Sequence, residues 1–232
     1  MRAGVPQRST ANCKSSVSSC RNGTVARYLR RIRRRGNSDQ RWLTFLKNHR
    51  EVIVAFDLFT VPTLTFQLLY CFFVIEHGRR RILHFNVTRH PTADWIVQQL
   101  REAFLDAVPY RYAIFDHDSK FDADVMAFLK AMGLEPKPTS VQAPWQNGVA
   151  ERWVGSCRRE ILDHVIALNE QHLRRLVRDY VSYYHDDRIH DSLDKDTPNR
   201  RPVESKPSPS ATVISSARLG GLHHRYSWRE AA

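Results

Sequence analysis

Three acidic residues, Asp57, Asp116 and Glu151, have side chains and positions that could support catalysis. Each lies where an apolar segment ends or where a helix is expected to begin. Carboxylate oxygens are the ligands that hard divalent cations such as Mg²⁺ or Mn²⁺ prefer, and no matching cluster of His or Cys accompanies them. A pair of such ions catalyses phosphoryl transfer by holding the attacking and leaving oxygens. The three carboxylates therefore indicate an enzyme that cuts and joins nucleic acid.

Positive charge is concentrated at one end of the chain, which has 232 residues and a formal net charge of +12. Residues 1–50 contain 13 Lys and Arg but a single acid, Asp39, whereas residues 51–232 contain 23 of each sign. The sequence thus predicts a basic arm joined to a balanced body that is long enough to bury a full core. Such an arm usually binds phosphate or an anionic membrane surface, and the alternative is a solvated tail without a specific partner.

The cysteines and the apolar runs bear on the cellular compartment. Cys13 and Cys20 lack the second pair of ligands that a zinc site needs. Cys71 lies in an apolar run and Cys157 in a predicted helix, where packed, reduced thiols are expected. The most apolar run, residues 64–75, is too short to span a membrane. We therefore expect a cytoplasmic, nucleoid-associated protein without disulfides or a membrane anchor.

Within the basic arm, residues 1–23 are rich in Ser, Arg and Asn and are predicted to be disordered. Apolar residues at helical spacing then predict an amphipathic helix over 24–35, which is similar to the second helix of a helix-turn-helix that lacks its first helices. A second amphipathic stretch, residues 41–48, leads into the body. The arginines of the first helix that are expected to bind DNA are Arg27, Arg30, Arg31 and Arg34.

The body is predicted to alternate strands and helices. Strands are predicted over 52–57, 64–75, 81–88, 110–116 and 138–141, and helices over 91–104, 122–132, 149–168 and 170–184. The first three strands form a meander, and the helical connections after them favour right-handed parallel crossovers. The predicted fold is α/β, with a mixed five-stranded sheet flanked by helices. Acids at the carboxyl ends of its adjacent parallel strands would lie side by side.

Four motifs resemble those of the retroviral-type integrases and the bacterial insertion-sequence transposases. V-A-F-D-L-F-T (54–60) is similar to the strand that carries the first Asp of that family, and I-F-D-H-D-S-K-F (114–121) to its D-N-G-x-x-F motif. A-P-W-Q-N-G-V-A-E-R (143–152) matches P-x-x-N-G-x-x-E-R, at the same 35-position step. Y-Y-H-D-D-R-I-H-D-S-L (183–193) resembles the C-terminal segment. The resemblance covers residues 51–205, and residues 206–232 remain as a C-terminal tail. The chain from Thr197 onward is expected to be extended.

The resemblance implies a ribonuclease H-like fold and a DDE-type polynucleotidyl transferase, which breaks DNA and transfers strands with Mg²⁺ or Mn²⁺. Asp57, Asp116 and Glu151 would be both the catalytic residues and the ligands of two ions. Asp118 stands where the family usually has Gly, and it competes with Asp116 for the position of the second catalytic carboxylate. Its other possible roles are an Asx-turn residue or an outer ligand. The expected partners are the DNA of element ends and targets, and further copies in a homo-oligomer. The alternatives are a nuclease without strand transfer and a non-catalytic DNA-binding remnant of a mobile element.

Further DNA contacts are expected around the third motif. Trp145, Gln146 and Asn147 lie in a loop where exposed polar and aromatic groups could meet DNA ends. Arg158 is seven positions after Glu151, on the same helix face. The family often has a basic residue there, and the alternative is an ordinary surface arginine.

The basic arm generates a prediction about salt dependence. Binding through phosphates releases counterions, so affinity falls with salt at a slope of about 0.9 per phosphate neutralised. Deleting residues 1–40 should weaken DNA binding several-fold and flatten that slope, while cleavage persists at high enzyme concentration. Fluorescence anisotropy on the full chain and the 41–232 fragment measures both slopes. Equal slopes would mean that the arm does not contact DNA.

Overall fold

The computed structural model describes residues 39–105 and 109–230. Residues 39–48 form a helix, α1, as the second amphipathic stretch predicted. The chain divides into two compact units within this helix, Met1–Phe45 and Leu46–Ala232, and the second unit contains all the other described helices and strands. The predicted helix at 24–35, with Arg27, Arg30, Arg31 and Arg34, lies outside the described residues.

A five-stranded sheet forms the centre of the second unit. Its strands are β1 (Ile53–Pro62), β2 (Leu68–Glu76), β3 (Ile82–Thr88), β4 (Tyr112–Phe115) and β5 (Glu135–Pro138), and their spatial order is β3-β2-β1-β4-β5. The first three strands pair in antiparallel fashion, whereas β4 and β5 run parallel to β1. The prediction of a mixed five-stranded sheet with helical crossovers is therefore confirmed.

Helices cover the sheet. They are α2 (Ala93–Ala103), α3 (Ala123–Ala131), α4 (Gly148–Glu160) and α5 (Glu170–Asp186). Three of them begin with a side chain that accepts hydrogen bonds from the free N–H groups of the first turn: Thr92 for α2, Asp122 for α3 and Asn169 for α5. No helix of the described residues is long and apolar enough to cross a membrane.

Each face of the sheet buries its own apolar layer, since side chains alternate along a strand. On one face, Phe56 and Phe115 stack with their ring centroids 4.9 Å apart, and Ile96 of α2 and Leu129 of α3 complete the layer. The opposite face is covered by Trp153 of α4, which is buried. Cys71 and Cys157 are free and buried, as expected, and burial raises the pKa of both thiols.

Several predicted boundaries were wrong. The first strand continues to Pro62 instead of ending at 57, and the second begins at Leu68 instead of 64. The fifth strand is Glu135–Pro138 rather than 138–141, because a strand at the edge of a sheet tolerates its two prolines. The helix predicted to reach residue 168 ends at Glu160. The chain beyond it returns to the sheet instead, where the Leu64 N–H donates to the Ala167 carbonyl over 2.9 Å.

The C-terminal tail forms a β-hairpin, which the sequence did not predict. Strands β6 (Thr212–Arg218) and β7 (His223–Arg229) pair across a turn in which Gly220 and Gly221 have positive φ angles. The hairpin packs on the end of α5, where the His223 ring stacks on Tyr183 with a centroid separation of 4.7 Å.

One buried carboxylate joins the hairpin to the body. The side chain of Asp187 is 1% exposed, and three guanidinium groups surround it, from Arg218 at 2.7 Å, Arg225 at 3.5 Å and Arg201 at 3.9 Å. A buried charge is tolerated only when it is paired. Asp187 therefore fixes two strands and the preceding segment to the end of α5.

We expect Asp187→Asn to destabilise the protein by about 1–3 kcal/mol, because three partly exposed arginines lose their shared counter-charge. Urea unfolding measures the change. Asp191→Asn is the matched control: its carboxylate pairs with Lys195 at the surface, and its loss should leave stability unchanged within error. Equal effects of the two substitutions would show that the Asp187 cluster does not anchor the hairpin.

Candidate active site

Strand register places Asp57 and Asp116 beside each other. β1 and β4 pair in parallel, with Ala55 opposite Ile114. Asp57 and Asp116 follow these partners by two residues each, so they occupy equivalent positions on the same face of the sheet. Neighbouring strands are about 4.8 Å apart. The carboxylates therefore start from adjacent backbone positions, where β4 ends and β1 continues.

Glu151 is positioned by the packing of its helix on that same face. Two residues after Glu151, the buried Trp153 ring lies 4.2 Å from the ring of Phe73 and 5.8 Å from that of Phe59. Phe73 is the cross-strand partner of Asp57, and Phe59 is two residues further along β1. Trp153 thus fixes the first turn of α4 over the strand that carries Asp57. The side chain of Glu151 itself is exposed.

The three carboxylates are electrostatic neighbours. Burial raises the pKa of Asp57 to about 7, against the hydrogen bond that the Leu58 N–H donates over 2.7 Å, and the negative charges of Asp116 and Glu151 add to the rise. The pKa of Glu151 is also raised, first by the loss of part of its hydration, although much of the side chain stays accessible to solvent, and then by the charge of Asp116. Bringing like charges together in this way costs free energy that a bound cation would recover.

Asp116 and Asp118 have different surroundings. Thr139, just after β5, donates its hydroxyl hydrogen bond to Asp116 Oδ1. Asp118 instead accepts from the Lys120 backbone N–H at 3.0 Å and pairs with the Lys120 ammonium at 3.0 Å. Burial acts to raise the pKa of Asp118, but these bonds from Lys120 outweigh it and hold the pKa below its ordinary value. The Asp118 carboxylate is therefore engaged by groups of its own turn, and Asp116 is the carboxylate beside Asp57.

The donor set suits a hard divalent cation, since every candidate ligand is a carboxylate oxygen. Within 39–105 and 109–230, however, no three His, Cys, Asp or Glu side chains are grouped closely enough to hold a metal ion. Asp57 and Asp116 are adjacent, whereas Glu151 is exposed.

The loop before α4 differs from its sequence prediction. Gln146 and Asn147, expected to be exposed for DNA, are buried, with 6% and 1% of their surface accessible. The Gln146 side-chain oxygen accepts from the Ser140 N–H at 2.6 Å, and the Asn147 amide donates to the Phe56 carbonyl at 3.5 Å. Their polar groups connect the loop to the sheet next to Asp57, so both are positioning residues. Trp145 is 41% exposed, as a DNA contact requires.

Arg158 is partly engaged within the protein. Its guanidinium donates to the Thr60 carbonyl at 3.1 Å and lies over the Phe59 ring, 5.7 Å from the centroid. These contacts hold α4 on the end of β1. Its role toward DNA stays a prediction.

Sequence reasoning missed the pairing of Arg188 with Glu160. The Arg188 guanidinium makes a two-pronged ion pair with Glu160 at 2.9 Å and donates to Ser156 at 3.2 Å. This joins the end of α5 to the end of α4, whose first turn carries Glu151. Arg188 lies in the C-terminal motif, so the motif was the available signal, but its partner is 28 positions away.

Comparisons with known proteins bear on the family and the fold. Residues 132–198 match the family model described as integrase core domain. Comparison of the sequence with curated proteins gives no match.

Solved structures similar in fold include the catalytic domain of Mos1 mariner transposase, with a TM-score of 0.56, 14% identity and coverage of 66% of this chain and 81% of that one. A chain of the simian T-cell lymphotropic virus intasome in complex with the PP2A regulatory subunit B56 gamma has a TM-score of 0.54 at 12% identity, covering 77% and 66%. The dimeric HTLV-2 integrase catalytic core domain in complex with magnesium has a TM-score of 0.51 at 8% identity, covering 65% and 95%.

The resemblance to integrases and transposases is therefore confirmed, and so is the ribonuclease H-like fold. The matched segment contains both the loop before α4 and the C-terminal motif. At these low identities the structural likeness shows the fold alone, and this chain spans 66% of the intasome chain.

The raised pKa of Asp57 predicts how stability depends on pH. Between pH 4 and 7 the folded protein holds a proton that the unfolded chain has released, so stability should fall as pH rises through this window. Asp57→Asn removes the effect. Without added metal, we expect the variant to be more stable than the wild type by about 1–3 kcal/mol at pH 8, and the difference to vanish near pH 4.

Thermal and urea unfolding at pH 4 and pH 8 test this expectation. Asp118→Asn is the control of opposite sign, because its pKa is lowered and its removal should cost stability at pH 8. If Asp57→Asn destabilised the protein at pH 8, the ionised Asp57 carboxylate would not lower the free energy of unfolding, and the expectation would be wrong.

Proposed function

We propose that this protein is a DDE-type DNA transposase or integrase, which cleaves phosphodiester bonds and transfers DNA strands during integration or recombination. The observation that carries the proposal is the register of β1 and β4, which sets Asp57 beside Asp116 on the face covered by the Glu151 helix. The integrase core match and the fold support it from an independent direction.

In this proposal Asp57, Asp116 and Glu151 bind two Mg²⁺ or Mn²⁺ ions. Bound ions of this kind supply a lowered pKa for a water or a DNA 3′-hydroxyl and neutralise charge that builds on phosphorus. The protein holds the ligands in place: the Leu58 N–H orients Asp57, and the Thr139 hydroxyl orients Asp116. No protein nucleophile is required, because the attacking oxygen belongs to water or DNA.

The partners in this proposal are the DNA of element ends and targets, and other copies of the chain. A nuclease without strand transfer and a non-catalytic DNA-binding remnant are the competing functions. The remnant is disfavoured because all three carboxylates and their positioning contacts are present. Cleavage alone does not separate a transposase from a nuclease, so both steps must be assayed.

Asp116→Asn should abolish metal-dependent DNA cleavage, by roughly 100-fold or more, because it removes a charged ligand without changing shape. Asp118→Asn should retain most activity, since its carboxylate is engaged by Lys120. Nicking of supercoiled plasmid in Mg²⁺ or Mn²⁺ measures the first step. Joining of a labelled 3′-hydroxyl oligonucleotide to plasmid measures strand transfer.

The order of the two variants identifies the site. A greater loss in Asp118→Asn would mean that the second carboxylate has been assigned two residues too early. Nicking without joining by the wild type would support the nuclease, and neither activity would support the remnant. Circular dichroism on both variants establishes that any loss is not a loss of folding.

A further inference from the structure

One face of α5 carries an unneutralised pair of arginines. Gln171, Arg175, Arg178 and Ser182 are all exposed and succeed one another at spacings of four, three and four residues. Residues at these spacings share one face of a helix. The row covers roughly 16 Å at 1.5 Å per residue. We refer to Arg175 and Arg178 as the α5 arginine pair.

Neighbouring charges do not satisfy this pair. Among the described residues, neither Arg175 nor Arg178 forms an ion pair, and the exposed Asp179 beside them pairs with neither. Glu170, the acid at the start of the helix, lies 3.6 Å from Arg89 and 4.0 Å from Arg174. α5 carries three arginines and three acids, so Arg175 and Arg178 are distinguished by the lack of an ion pair among the described residues and not by the net charge of the helix.

On the same helix, the side chain of Arg174 is engaged in contacts within the protein. It donates to the Asn86 side chain at 3.0 Å and to the Val87 carbonyl at 2.8 Å, so it fastens α5 to β3. Within the part of the chain that the structure describes, the α5 arginine pair makes no such contact, and both side chains are exposed. Their removal would therefore leave the packing of α5 intact.

The pair also lies toward the end of the sheet that carries the candidate active site. β1 passes Asp57 and ends at Pro62, and the next residue, Thr63, bridges to Ala167 just before α5 begins. A depression of about 560 Å³ is lined there by Leu168, Asn169 and His172 together with the arginines of α5. The start of α5 and the end of β1 beyond Asp57 are therefore joined at this edge of the molecule.

We propose that Arg175 and Arg178 bind backbone phosphates of the DNA on which the carboxylate site acts. Guanidinium groups bind phosphate through paired hydrogen bonds, and such contacts position a duplex without reading its sequence. Side chains three positions apart on a helix have Cβ atoms about 5–6 Å apart, so the two can hold neighbouring phosphates. The inference rests on the proposed function, because it takes DNA as the ligand.

The test compares two double variants of the full chain with the same change in net charge. Arg175→Gln with Arg178→Gln removes the pair, and Arg101→Gln with Arg111→Gln removes two exposed arginines on α2 and before β4. Fluorescence anisotropy on a duplex of fixed length, over a series of salt concentrations, gives affinity and slope. We expect the first variant to bind several-fold more weakly, with a slope lower by about 1.8 for two phosphates, and the control to change much less.

Arg175→Lys with Arg178→Lys keeps both charges and should restore most of the slope, which a merely structural role would not predict. Equal slopes for the two glutamine variants would overturn the proposal. So would a change of oligomeric state in light scattering without loss of DNA affinity, since the face would then be a protein interface. Half-maximal plasmid nicking by the Arg175→Gln, Arg178→Gln variant should require several-fold more enzyme than nicking by the wild type, because its affinity for DNA is lower. If the wild type did not nick plasmid but the difference in salt slope remained, the proposed function would be wrong, whereas the assignment of this surface to DNA binding would still hold.

Discussion

The contact of Trp153 with Phe59 and Phe73 is the interaction on which the candidate site depends most. Asp57 and Asp116 are placed by the hydrogen bonds of the sheet, and they would be adjacent wherever α4 lay. Glu151 has no such constraint. Its position depends on the packing of the buried Trp153 indole against two rings. Phe59 is two residues after Asp57 on β1, and Phe73 is opposite Asp57 on β2. Loss of that packing would separate the third carboxylate from the other two while leaving the sheet intact.

Further contacts support that packing at both ends of α4. At its first turn, Asn147 reaches the Phe56 carbonyl, so the loop is joined to the backbone directly before Asp57. At its last turn, Arg188 makes a two-pronged ion pair with Glu160. Asn147 and Arg188, which lie in two of the motifs that resemble the integrase and transposase family, thus act in part by holding α4 in position. Precise geometry is needed because a carboxylate displaced by about 1 Å loses much of its catalytic contribution.

Charge is used in two contrasting ways in this protein. The Asp187 carboxylate is buried and surrounded by three arginines, so its charge is neutralised and serves the fold. The Asp57 carboxylate is partly buried beside other acids, so its ionisation is disfavoured and its pKa rises. The first arrangement stabilises a structure, and the second is typical of sites that await a cation or a proton. The exposed arginines of α5 belong to neither group, which is why they are candidates for an external anion.

The order of the central strands and helices could be predicted from the sequence, because strands and helices have distinct periodicities. The three carboxylates could be proposed from it, because they come directly after apolar runs or at a helix start. The sequence also favoured Asp116 over Asp118, from the position directly after strand β4. It could not determine the burial of Gln146 and Asn147, since a polar loop side chain faces water or the sheet according to partners elsewhere in the chain. The hairpin in the tail and the Arg188–Glu160 pair were hidden for the same reason. Their partners are distant in sequence, and only tertiary packing brings Asp187, Arg218 and Arg225 together.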